Sequence, residues 1–346
     1  MRLIRVGITH GDINGIGPEM IQKVLDYPEL EELCTPVIFS GINIMKQTAA
    51  HCTLEQPATF NVVDSAANAL DGRINLVNVC KEDIQIEFGQ QTEHSLTAEA
   101  TSLQSALQAW QNNEIDVLVC CPGQLDNDQD NHALSDFIRK ALQNVNGDFD
   151  WINNKQTRTL MLHPMEAATQ MGETLAEEKF MEEMKQVYQL LRQDFGFIRP
   201  RIALVAANKK HAEAIRELRE QDVTIFGPFE AKDFEEKNMY THYDGIVFLQ
   251  QEECRHNLLN SLEKQYTYSY VGGLPLVLVT TMQPVSYAIA GQDKADVLQL
   301  RNAIYAAIDI YRARANYRLA THKPLEKQWV PKGRDDFKLD LTKEEA

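Results

Sequence analysis

The sequence predicts an α/β protein built from mostly parallel or mixed sheets with helices on both faces. Three observations lead there. Short Val/Ile-rich runs of strand length alternate with longer segments of helical period along the whole chain. That alternation implies βαβ crossovers, which cover a sheet on both sides. The composition, 44% hydrophobic and 24% charged over 346 residues, is that of a folded globular chain with room for about two domains.

The elements follow in order. LIRVGIT (3–9) is a strand that leads into a helix opening at Pro18, and PVIFSG (36–41) and INLVNV (74–79) are further strands. In residues 96–113, Leu103, Leu107 and Trp110 recur at helical spacing, and the segment feeds the strand IDVLVCC (115–121). The second half repeats the pattern with TLMLH (159–163), a helix near 176–193, RIALVAA (201–207), a helix near 209–219 and GIVFLQ (245–250). LPLVLVTT (274–281) and a last helix around 294–316 complete it. The polar stretch 144–157 reads as a crossing between lobes, and the charged tail 331–346 as a fraying end. The expected lobes are 1–120 with about 290–330, and about 121–289.

With 34 basic and 50 acidic residues the net charge is −16, which argues against nucleic acid or an anionic membrane surface as the main partner. Residues 81–153 concentrate this charge, with thirteen acids against three bases. The longest apolar runs are of strand length, far short of the roughly 20 residues of a membrane helix. The N-terminus reads as a strand and not as a signal peptide, so a cytoplasmic protein is expected. The six cysteines include no CxxC pair and are expected to be reduced and mostly buried.

The sharpest local signal is HGDINGIGPE (10–19), between a strand and a helix. Gly11, Gly15 and Gly17 permit tight turns and close backbone approach, while Pro18 and Glu19 mark a helix N-terminus that favours an anion. The spacing is not the GxGxxG of a dinucleotide fingerprint. From the residues alone the loop is either a structural turn or a ligand loop, with Gly11, Asp12, Gly15 and Gly17 as the candidate cofactor contacts.

GITHGDINGIGPE (7–19) resembles the opening motif of the 4-hydroxythreonine-4-phosphate dehydrogenase family. The resemblance continues in order through IDVLVCCP (115–122), QDFGFIRPRIALVAAN (193–208), FGPFEAKDF (226–234), YDGIVF (243–248), GGLPLV (272–277), YAIAG (287–291) and AIYAAIDIYRAR (303–314). It implies a two-lobed fold of the isocitrate and isopropylmalate dehydrogenase type, in a homodimer. It also implies an activity, the oxidation of 4-phosphooxythreonine in vitamin B6 synthesis with NAD and a divalent metal held by three histidines.

Carried over residue by residue, most of that site is altered. The family's PINK is PGQL here, with Leu125 in place of the lysine; in NHALSDF, His132 survives but Ala133 replaces a threonine. The metal-histidine positions fall on His163 in LMLHPM, on His211 in NKKHAE and on Gln251 in FLQQEEC, and an amide is a poor transition-metal ligand. His256, five residues on, could in principle substitute for the third ligand. The phosphate-gripping lysine falls at or near Leu259. In GLPLVLVTTMQPVSYAIAG the phosphate arginine becomes Leu278, the active-site histidine Gln283, its glycine Pro284 and an aspartate Ala288. Guanidinium and ammonium groups are the natural grips for a phosphate, and leucine supplies neither charge nor donor. The acidic LDNDQDNH run (125–132) would repel a phosphorylated substrate and a dinucleotide alike.

The expected function is therefore that of a non-catalytic, dimeric family member binding neither NAD nor metal tightly. The alternative is an active dehydrogenase, either of the vitamin B6 pathway or acting on an altered, non-phosphorylated substrate, with His132, His163 or His211 as base.

Overall fold

The computed structural model describes residues 2–80, 84–124, 149–154, 159–164, 177–206, 211–249, 251–261 and 267–322, with the backbone alone for 149–154, 159–164, 252, 256 and 259–261. Twelve strands among these form one sheet: β1 (Arg5–Thr9), β2 (Thr35–Ser40), β3 (Asn61–Val63), β4 (Asn75–Asn78), β5 (Val117–Cys120), β6 (Phe149–Asn154), β7 (Thr159–Pro164), β8 (Ile202–Ala206), β9 (Ile225–Phe229), β10 (Gly245–Leu249), β11 (Thr267–Gly272) and β12 (Val277–Thr281). Their order across the sheet is β3-β4-β2-β1-β5-β12-β11-β6-β7-β10-β8-β9.

The first six strands are parallel to one another, and so are the last four. Between them β11 runs antiparallel to both β12 and β6, and β6 is antiparallel to β7. The last four strands therefore run opposite to the first six. The α/β class and the mixed sheet expected from the sequence are both present.

Alternation along the strands decides which side chains enter which core. Val6 and Ile8 of β1, Val117 and Val119 of β5, and Val277 and Val279 of β12 share one apolar cluster. That cluster is closed by α1 (Gly17–Val24) and by Leu300, Ala303, Ile304, Ala307 and Ile308 of α9 (Leu298–His322). On the opposite face, Leu118 and Leu278 pack with Leu103, Ala106 and Leu107 of α4 (Glu93–Gln111), whose start is fixed by a capping box between Thr92 and Ser95. The remaining helices are α2 (Glu29–Leu33), α3 (Ile42–Ala49), α5 (Glu177–Asp194), α6 (Ala212–Glu220), α7 (Ala231–Glu236) and α8 (Glu252–Ser261).

Within the stretch 144–157 lies a strand the sequence did not announce: β6 pairs on both sides. Polar Asp150, Asn153 and Asn154 mask the alternation of Phe149 and Trp151. TYSYVG, the equally aromatic β11, likewise went unpredicted, and these two strands join the two parallel blocks. All six cysteines are free, and Cys34, Cys120, Cys121 and Cys254 are buried. No helix among the described residues is long and apolar enough to cross a membrane. The 331–346 tail and the 125–132 acidic run lie outside the described residues.

Candidate functional site

In open α/β sheets ligands bind beyond the carboxyl ends of the strands. Here the loops after three neighbouring strands, β1, β5 and β12, converge at that place. Asp12 is the centre. It is fully buried, its backbone N–H donates to Pro122 O at 3.0 Å, and Oδ1 accepts the Asn14 N–H at 2.8 Å in an Asx turn. Oδ2 accepts the Tyr287 hydroxyl at 2.5 Å and Gln124 Nε2 at 2.7 Å.

Gln124 Nε2 also lies 2.7 Å from Ser95 Oγ, and the Gln124 backbone N–H donates to Glu99 Oε2 at 2.8 Å. A Cβ on Gly123 would stand 1.9 Å from Glu99 Oε1, so only glycine lets that carboxylate lie against the loop. Asn14 closes the ring, donating to Gln90 O and Thr92 Oγ1 and accepting from the Glu87 N–H. Burial, with the hydrogen bond to Asp12 behind it, pushes the Tyr287 hydroxyl pKa up, so it stays protonated and keeps donating.

The loop glycines are spent on the protein itself. Gly11 has φ +66°, and a Cβ there would lie 2.1 Å from Pro122 O; the same atom on Gly15 would lie 2.3 Å from Val285 Cγ1, and on Gly17 2.1 Å from His10 O. The close approaches that Gly11, Gly15 and Gly17 permit are between parts of the protein itself. Gln124, Ser95, Glu99 and Asn14 went unpredicted as site residues. The available signal was Asp12 itself, since a buried carboxylate needs donors.

His10 is wholly buried beside this network. Its Nδ1 lies 2.7 Å from Gly11 O, and a carbonyl only accepts, so Nδ1 carries the proton and Nε2 the lone pair. Nε2 has no partner. Desolvation by burial outweighs the Gly11 hydrogen bond and the Asp12 charge and lowers the pKa from 6.5 to about 4. His10 is therefore neutral when folded, and its contribution is complete above pH 6.5. As pH falls from 6.5 to about 4, the unfolded chain takes a proton that the folded chain refuses. Wild type is expected to lose about 3 kcal/mol over this window relative to His10→Gln. Urea midpoints of both proteins across the window check it, and parallel curves would refute it.

The three predicted metal positions come to the carboxyl ends of three adjacent strands, β7, β10 and β8. His163 is in β7 opposite Asp150, Gln251 follows β10, and His211 caps α6 after β8. Two of the three side chains are described. The His211 ring is buried and stacked on Phe180, with centroids 4.2 Å apart and an interplanar angle of 14°. Gln251 offers an amide, and its backbone carbonyl accepts the Arg255 N–H at the start of α8. Among the described residues no three His, Cys, Asp or Glu side chains converge.

Leu278 is fully buried in β12, where its register partner is Leu118. Among the described residues the buried Gln283 Oε1 has no hydrogen-bond partner. His132 lies outside the described residues, as do the side chains of Leu259 and His256.

Against known proteins, residues 32–307 match the family described as pyridoxal phosphate biosynthetic protein PdxA. The chain belongs to this family. It is 29% identical to the 4-hydroxythreonine-4-phosphate dehydrogenase of Bacteroides thetaiotaomicron over 98% of this chain and 97% of that protein. The solved 4-hydroxythreonine-4-phosphate dehydrogenase of Klebsiella pneumoniae shares the fold, with a TM-score of 0.69 at 18% identity over 90% of this chain and 98% of that one. The isocitrate dehydrogenase of Methylococcus capsulatus shares it more distantly, with a TM-score of 0.50 at 11% identity over 92% and 89% of the two chains. The PdxA motifs named from the sequence therefore rest on a PdxA scaffold.

Proposed function

We propose that this PdxA-family chain does not oxidise 4-phosphooxythreonine with NAD and metal, and that it is retained as a non-catalytic homodimer. The observation that carries the reading is the closure of the strand-end loops upon themselves. Asp12, Gln124, Ser95 and Tyr287 satisfy one another where a ligand would otherwise be held. The replacements at Leu278 and Gln251 support it. Each lost charge-assisted contact is worth roughly 1.5–3 kcal/mol, so two phosphate grips and a metal ligand together weaken substrate by several orders of magnitude.

The test is NADH formation by the purified full-length protein supplied with 4-phosphooxythreonine, NAD and a panel of divalent metals, with the Bacteroides thetaiotaomicron enzyme as positive control. The expected trace is the enzyme-free background. Turnover at a rate comparable with the control overturns the reading. Sedimentation of the same sample tests the homodimer, and a monomer across micromolar concentrations removes that part of it.

A further inference from the structure

A cavity of about 450 Å³ opens at the N-terminal ends of β8 and β9, at the other end of the strands from His211 and Gln251. It shares no residue with the Asp12 network. Its floor is one face of α5, where Lys185, Gln189 and Arg192 recur at helical spacing. Its walls are Arg199, in the turn before β8, and Val223, in the turn before β9.

The charge here departs from that of the chain. Three cations and the single carboxylate of Asp222 line the cavity, in a protein whose net charge is −16. Neighbouring Arg201 shows what neutralisation would look like: its backbone N–H donates to Asp244 Oδ2 at 2.8 Å, and its guanidinium stands 4.0 Å from the same oxygen. Among the described residues Lys185, Arg192 and Arg199 form no such pair; Arg192 instead lies 5.9 Å above the Tyr317 ring, which Gln189 holds with a 2.7 Å hydrogen bond to the hydroxyl. Three positive groups around one cavity outnumber its single carboxylate, and an anion placed among them offsets that excess.

We propose that this cavity binds a polyphosphate group. Two guanidiniums suit bidentate contact with phosphate oxygens, and the ammonium adds a point charge beside them. The volume exceeds that of one phosphate and lies in the range of organic-ligand pockets, and buried Val223 and exposed Ile198 give apolar surface next to the cations. Free pyrophosphate and the diphosphate of a nucleotide share this chemistry. The site is independent of the proposed loss of activity, because it stands whether or not the chain turns over 4-phosphooxythreonine.

Calorimetric titration of the full chain with pyrophosphate and with ADP, at low ionic strength, tests it. Saturable binding is expected, weakened about tenfold or more in Lys185→Ala/Arg199→Ala and progressively weakened by added salt. Both side chains are exposed, and a circular dichroism melt unchanged from wild type confirms that the variant folds. ADP tighter than pyrophosphate assigns the site to a nucleotide, and equal affinity assigns it to the free polyanion. No binding of either probe, or binding that the double variant leaves intact, overturns the proposal.

Discussion

Replacing Asp194 by alanine is expected to destabilise the protein by about 3–5 kcal/mol, because it strands a buried guanidinium. Asp194 ends α5 and is 1% exposed, and Arg314 of α9 is 3% exposed. Arg314 grips the carboxylate with Nε at 2.6 Å and Nη2 at 3.1 Å, a two-pronged contact, and Nη1 donates to Pro275 O at 3.0 Å. The Tyr270 hydroxyl of β11 donates to Asp194 Oδ2 at 2.6 Å, and its pKa is held well above 10 by burial and the neighbouring carboxylate. One buried cluster thus ties α5, α9 and β11, the strand at which the sheet changes direction.

The controls separate charge from packing. Tyr270→Phe deletes two hydrogen bonds, the one its hydroxyl donates to Asp194 and the one it accepts from Arg314 Nη2, and is expected to cost about 1–3 kcal/mol. Asp194→Ala/Arg314→Met removes both charges together and is expected to cost less than the two single changes added, since neither ion is left alone. Urea midpoints for wild type, Tyr270→Phe, Asp194→Ala, Arg314→Met and the double variant read this out. A loss below about 1 kcal/mol in Asp194→Ala would show that water or another anion compensates Arg314, and would sink the argument.

That cluster also shows where the sequence stopped being readable. The parallel blocks were legible because their strands are Val/Ile runs such as RVGIT and VLVC, separated by helices with an apolar stripe. The joint between the blocks was not, because β6 and β11 earn their place by pairing with residues far away in the chain: Tyr270 lies opposite Trp151. A charged residue near the end of a helix ordinarily faces solvent, so nothing in YRAR announced Arg314 as core.

The candidate site divides in the same way. Its glycine loop was visible, but what the glycines make room for was not. A missing side chain admits a ligand or another loop equally well, and only the tertiary structure puts Pro122 O and Val285 there. The long-range partners of Asp12 come from the loop after β5 and from the loop after β12, at separations of 112 residues for Gln124 and 275 for Tyr287. Local pattern carries no information over such distances. The reading of Gln251 and Leu278 as altered positions rests on the surrounding motifs alone; the structure adds where they lie, after β10 and in the core face of β12.

Putting an arginine back at position 278 is expected to unfold the protein and not to restore phosphate binding. Leu278 is fully buried, faces Leu118 across the β12–β5 pairing and belongs to the cluster formed by Leu103, Leu107, Leu274 and Leu276. Leu278→Arg forfeits about 2–3 kcal/mol of apolar burial and places an unpaired charge in that cluster, for a total of at least about 4 kcal/mol. Leu278→Met keeps the volume and is expected to cost under about 1.5 kcal/mol, so the effect is one of charge and not of any change at the site. Leu278→Arg/Gln283→His, which restores two of the family's residues together, is expected to gain no NADH formation for the same reason. A double variant that melts within a few degrees of wild type and binds inorganic phosphate more tightly would mean that position 278 reaches an accessible site, and the closed core assigned to it here would be wrong.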